Sequence, residues 1–210
     1  MKKLIQLGLC LLICAISYTQ TTSSFIDPRD GQSYNIVKIG EQWWMAENLA
    51  YKTGSGCWAY NNNSKNVTTY GYLYSLETAK NVCPTGWHLP DITEWRTLHN
   101  YLVDSIDVSG GELKETGTAH WVTPNKGATN ESGFTALPSG YRDDHGAFVD
   151  IGKMCVWWSP NEVNVAYLNE NANVVGRKGV KTYLLLYDSE EFVENAGFMN
   201  EGYSVRCLKY

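Results

Sequence analysis

Cys83-Pro84-Thr85-Gly86-Trp87-His88-Leu89-Pro90, followed by Asp91 and by Glu94-Trp95, is the stretch that organises the chain. Upstream of it, Leu76, Ala79 and Cys83 recur at helical spacing and predict a helix over residues 74–82, stopped by Pro84-Thr85-Gly86. Downstream, Asp91 with Glu94 three residues on is a capping-box pair that opens a second helix. Its apolar positions Ile92, Trp95, Leu98 and Leu102 fall on one stripe, which faces a core. Trp95 and His99 therefore read as packing and surface residues.

Working outward, Asp30-Gly31 signals a turn, and residues 33–39 then alternate, with Tyr34, Ile36 and Lys38 on one face and Val37 and Ile39 on the other. Gly40-Glu41 punctuates, and residues 42–45 continue in strand-like character, predicting an N-terminal hairpin or meander. After Gly133 the pattern changes to short strands, expected at 134–137, 147–151, 154–159, 166–169, 182–187 and 203–209. Asn- and Gly-rich joins at 169–173 and 176–179 separate them. A hairpin, two helices and an antiparallel β region with long loops is an α+β layout.

The chain has 210 residues, 17 Lys+Arg against 22 Asp+Glu, and a formal charge of -5. At 43% hydrophobic and 13% aromatic it has the composition of a folded domain. The acidic balance, with no basic run, argues against nucleic acid or an anionic membrane surface as partner. Lys2-Lys3, an apolar run from Leu4 to Ile16 and a polar stretch after it have the layout of a secretory signal peptide, too short to span a membrane. Residues 1–19 are read as that leader, 20–24 as a short polar N-terminus and 25–210 as a single domain. Leu9 before Cys10 and Ile13 before Cys14 disfavour lipidation, because a lipidated Cys follows a small residue. Removal of Lys2 and Lys3 would leave 15 positive against 22 negative side chains, a charge of -7. It would also leave Cys57, Cys83, Cys155 and Cys207, which allow three pairings and contain no CxxC.

With Cys83 to Pro90 and Glu94-Trp95 stand further ordered blocks: Asp30-Gly31-Gln32, Trp44-Met45-Ala46-Glu47-Asn48-Leu49, Tyr70-Gly71-Tyr72-Leu73-Tyr74 and Leu113-Lys114. Later blocks are Asn130-Glu131-Ser132-Gly133-Phe134, Ala136-Leu137-Pro138 with Gly140-Tyr141-Arg142, Trp157-Trp158-Ser159 and Ser204-Val205-Arg206-Cys207. Through them the chain resembles the Fibrobacter succinogenes major paralogous domain of exported and surface proteins of Bacteroidetes and Fibrobacteres. More loosely, Ala79, Cys83, Gly86, Leu89 and Glu94 are similar to the pattern of C-type-lectin-like domains. The resemblance implies an exported address, a C-type-lectin-like arrangement and a disulfide between Cys83 and Cys207. Cys57 and Cys155 are then left to pair with each other or to remain thiols, the pair being the reading taken.

Gly54-Ser55-Gly56-Cys57-Trp58 superficially resembles the segment around a papain-type nucleophile, but no histidine follows at the distance that mechanism needs. The lectin-like fold also hosts formylglycine-generating oxidases, which need a closely spaced late cysteine pair; none occurs here. Asp143-Asp144 and Asn161-Glu162 offer oxygen ligands for a hard cation such as calcium. His88, His99, His120 and His145 are scattered, which argues against zinc. The remaining resource is aromatic. In strands, one member of Trp43-Trp44 and of Trp157-Trp158 should point outward, where it can stack on a sugar or anchor a protein. The expected function is non-enzymatic binding of an extracellular glycan or surface protein through Trp43, Trp44, Trp157, Trp158, Tyr141 and Arg142. A formylglycine-generating-type oxidase and a structural surface component are the alternatives.

Overall fold

The computed structural model describes residues 20–103, 110–168 and 174–210; the leader expected over 1–19 and the join expected at 169–173 lie outside them. Strand β1 (Thr21–Ile26) pairs with β2 (Ser33–Ile39), and β2 with β3 (Gln42–Met45), all antiparallel. Residues 21–24, expected as a polar tail, are therefore part of the sheet. The short strands β4 (Cys57–Trp58) and β5 (Leu73–Tyr74) bracket helix α1 (Lys65–Tyr70). Next come α2 (Leu76–Ala79), β6 (Trp87–His88), α3 (Ile92–Val103) and α4 (Gly110–Leu113). The remainder is β7 (Ser139–Arg142), β8 (Phe148–Ile151), β9 (Met154–Leu168), β10 (Val174–Leu186), β11 (Val193–Gly197), β12 (Tyr203–Ser204) and β13 (Leu208–Lys209).

This corrects the α+β, C-type-lectin-like expectation. Among the described residues the protein is mostly β, with 38% strand against 16% helix, in two sheets of which one curls into a half-barrel. The physical reason lies on both sides of Cys83. Tyr74, expected in a helix, is taken by β5, which is hydrogen-bonded to β4 and β12. Ser75 is extended and caps α2, its hydroxyl accepting from the Thr78 N–H at 3.3 Å, so only one turn of helix forms. The second helix does form as α3. Its capping box is reciprocal: Asp91 Oδ1 accepts from Glu94 N and Glu94 Oε2 accepts from Asp91 N, both at 2.9 Å.

The five-stranded sheet runs β1-β2-β3-β13-β6, and the larger one runs β11-β10-β9-β12-β5-β4, with β7 joined to β9 and β8 to β7. The strands expected at 154–159 and 166–169 are joined in one strand, β9, because its partner β10 pairs with it on both sides of an irregularity between Val180 and Thr182. Residues 134–137 make no strand beyond an isolated bridge at Ala136. Residues 203–209 divide between the sheets: β12 lies between β5 and β9, and β13 between β3 and β6.

Two hydrophobic clusters flank the sheets. Along β9, Cys155 and Trp157 enter one cluster with Trp44, Trp95 and Phe134, whereas Val156 and Trp158 enter the other with Met45, Tyr74 and Tyr203. The period-2 rule holds, but both faces of β9 are covered. Among the described residues, no helix is long and apolar enough to cross a membrane.

Cys83 and Cys207 form a disulfide, with Cα atoms 5.9 Å apart, tying the segment before β6 to the segment before β13. Cys57 and Cys155 remain thiols, which corrects the expected second bridge. The cause is the sheet itself: Cys155 is buried in one cluster, and Cys57 packs against the other.

Candidate functional site

The aromatic pairs singled out in the sequence are not a surface. Trp157 and Trp158 are both fully buried, as is Trp44, and Trp43 is half-buried against the core. The indole N–H of Trp158 donates to the Tyr74 carbonyl at 2.7 Å, and that of Trp157 to Asn48 Oδ1 at 2.9 Å. These rings hold the scaffold. Outward presentation fails because β9 is central, with a core on each side.

Tyr141 does reach a concave surface. It stands on β7 next to Gly140, whose φ of +61° and close approach to β8 leave no room for a side chain: a Cβ there would lie 2.3 Å from the Val149 carbonyl oxygen. The Tyr141 ring meets that of Tyr203, on β12, at 5.7 Å. Tyr203 in turn rests on Trp158 at 4.4 Å. Gly197 lets the Tyr203 ring cross β11, since a Cβ at Gly197 would fall 2.6 Å from that ring. A groove of about 190 Å³ opens beside them. Phe198 adds a third ring to its lining, and Met154, Val156 and Leu184 add aliphatic surface. Its polar lining is Glu201, Asn195 and Thr182.

The turn from Phe198 to Gly202 is held at both ends. Glu201 Oε2 accepts from the Phe198 N–H at 2.6 Å and from the Tyr203 hydroxyl at 2.5 Å. Arg142 and Gly202 exchange backbone hydrogen bonds at 2.9 and 2.8 Å. The Arg142 guanidinium lies 4.4 Å over the Trp58 ring, so it buttresses the hairpin. Burial pushes the Tyr203 phenol well above its ordinary value, reinforced by its bond to Glu201. Burial likewise raises Tyr141, with Asp150, Glu201, Asp143 and Asp144 adding to the effect. Thr182 is 1% exposed, and its hydroxyl has no hydrogen-bond partner among the described residues. An unpaired buried hydroxyl costs roughly 1–3 kcal/mol, so it marks a position that a ligand atom would satisfy.

A larger trough of about 610 Å³ lies along β1 and β2, lined by Ser24, Asn35, Glu47, Asn130 and Thr135 among others. It contains no aromatic ring, and Glu47 already accepts from the Asn35 amide at 2.7 Å. The smaller groove has the mixture of apolar surface and convergent polar groups that small-molecule sites require.

The proposed cation ligands are used elsewhere. Asp143 Oδ1 accepts from the N–H groups of His145 and Ala147 in the β7–β8 turn. Asn161 Oδ1 accepts from Ile92 N and Ser159 Oγ, while Glu162 faces Lys80 and Lys178. Among the described residues no group of three His, Cys, Asp or Glu converges to hold a metal ion.

Tyr203, Phe198, Glu201, Asn195 and Thr182 escaped the sequence reading. The available signal was the string Phe198-Met199-Asn200-Glu201-Gly202-Tyr203, an aromatic pair around a Glu-Gly turn. Its meeting with Tyr141 depends on β7 and β12 both joining β9, a non-local pairing that no spacing encodes.

Fold and groove together define a two-sheet β-rich domain with an aromatic-walled, carboxylate-bearing recess on its larger sheet. The chain belongs to the Fibrobacter succinogenes major domain family, whose model matches residues 37–209. No curated protein and no solved structure matches it.

Proposed function

We propose that this is an exported, non-enzymatic domain that binds an extracellular glycan or surface protein in the groove walled by Tyr141, Phe198 and Tyr203. The observation that carries the reading is the unpaired Thr182 hydroxyl in the lining of a groove that also holds aromatic rings, aliphatic side chains and Glu201. The leader-like N-terminus and the Cys83–Cys207 disulfide support an oxidising, extracytoplasmic location. Cys57 and Cys155 belong to different clusters and so do not supply the cysteine pair that a formylglycine-generating oxidase uses. A glycan array and a panel of surface proteins, probed with the wild-type domain and with Tyr141→Ala, test the reading. Binding that is lost in Tyr141→Ala supports it. Binding that survives that substitution places recognition elsewhere on the molecule.

A further inference from the structure

The groove is small and its charge is one-sided. Its volume of about 190 Å³ is below the ~300–1,000 Å³ of pockets for drug-sized ligands, and suits one ring with its substituents. The half-buried Tyr141 ring can take the C–H face of a pyranose and also attract a cation, while Tyr203, 5% exposed, backs it and Phe198 carries the Arg177 guanidinium. Glu201 is half-buried and forms no ion pair among the described residues. Its Oε2 is engaged by Tyr203 and Phe198, which fixes the carboxylate in place. The charged neighbours that act on the two phenols, Glu201, Asp143, Asp144 and Asp150, are all carboxylates. Two cations stand nearby, neither among the lining residues. Arg142 covers Trp58, and Arg177 lies 4.1 Å over Phe198 with a bond to Asn200, outside the groove lining.

An anionic ligand would meet these carboxylates with no cation among the groove-lining residues. An ammonium would be favoured by both the rings and Glu201. A lysine side chain or a quaternary ammonium satisfies that half of the site, yet it brings no ring hydroxyls for Thr182 Oγ1 and the Asn195 amide. A sugar that carries a free amine satisfies both halves. We propose that the groove binds a hexosamine residue with an unacetylated amine, its ring against Tyr141, its ammonium beside Glu201 and a hydroxyl on Thr182. This rests on the assignment of the groove as the binding site.

The test is calorimetric titration with glucosamine oligomers, with N-acetylglucosamine oligomers of the same length and with polylysine, at a pH where the amines are protonated. The expected result is binding of the glucosamine oligomer at least roughly tenfold tighter than its acetylated counterpart, a difference of about 1.4 kcal/mol. Glu201→Gln should remove most of that preference and Thr182→Val should weaken binding, with thermal unfolding run alongside to show that each variant is folded. Equal binding of both oligomers, abolished by Tyr141→Ala, overturns the amine specificity and leaves the groove as a glycan site. Binding of polylysine in place of the sugars overturns the hexosamine assignment. Failure of all three probes to bind in a Tyr141-dependent way overturns the inference, whereas the proposed function falls only if the glycan array and the protein panel also give no Tyr141-dependent binding.

Discussion

Arg206 bonds Asn48 Oδ1 through both Nε and Nη2, at 3.1 and 2.9 Å, with the guanidinium fully buried and no carboxylate paired with it among the described residues. Its Nη1 donates to the carbonyls of Phe134 and Met45 at 2.6 and 3.2 Å. The rings of Phe134 and Trp157 lie within cation–π distance, at 4.3 and 5.7 Å. Burial pulls the Arg206 pKa down to about 9, so the group still carries its charge at neutral pH. Four of the sequence blocks that identify the family, those holding Asn48, Phe134, Trp157 and Arg206, meet at this one hub. The family signature is thus largely a scaffold signature.

Arg206→Met should destabilise the fold by roughly 3–5 kcal/mol, because it removes the donors to the Met45 and Phe134 carbonyls in the core at ~1–3 kcal/mol each and leaves Asn48 Oδ1 with the Trp157 indole N–H. Urea denaturation measures this, and an unchanged midpoint would show that the hub is dispensable.

Thiol accessibility follows from the two clusters. Cys57 is half-exposed, whereas Cys155 is fully buried and burial raises its thiol pKa. Native protein should give one thiol reacting with a polar alkylating reagent, and two in denaturant. No reaction in denaturant would mean that the second disulfide exists after all.

Reduction of Cys83–Cys207 opens a loop closed across a sequence separation of 124. In the chain-entropy model that is worth roughly 5 kcal/mol. The double variant Cys83→Ala/Cys207→Ala should therefore unfold at markedly lower denaturant concentration than the wild type, and equal midpoints would refute this assignment of the bond's role.

Glu194 receives Arg96 at 2.8 and 3.0 Å and Lys181 at 2.6 Å. The Arg96 hydrogen bonds and Lys181, working against burial, lower its pKa from 4.5 to about 2. A depressed carboxylate contributes stability above its unfolded value and loses it as pH falls towards the folded one. Glu194→Gln should lower Tm at neutral pH, and the gap to wild type should close between pH 4.5 and pH 2. A gap that persists in acid would assign the effect to packing.

Local features were legible in the sequence where their partners are local. The Asp91–Glu94 capping box and the hydrophobic stripe of α3 appear as written, as do the turn at Gly31 and the alternation of β2. The Cys83–Cys207 bond is present as the family resemblance implied. Helix length upstream of Cys83 was not legible, because strand pairing by Tyr74 overrides its spacing with Leu76 and Ala79. The Trp157-Trp158 pair shows the same limit. Alternation correctly sends the two rings to opposite faces, but only the order of strands reveals that neither face meets water. For the same reason Tyr141 could be singled out while its partners Tyr203 and Glu201 could not.

The placement of β12 and β13 has a kinetic side. Residues 203–209 are the last of the fold to be synthesised, yet one of these strands sits inside each sheet, with older strands on both sides. Neither sheet can complete its hydrogen-bond ladder on a growing chain, and the closing contacts span most of the sequence, which slows folding. A chain cut before residue 203 would lack an inner strand of each sheet, so it should fail to fold in place of giving a slightly shorter domain.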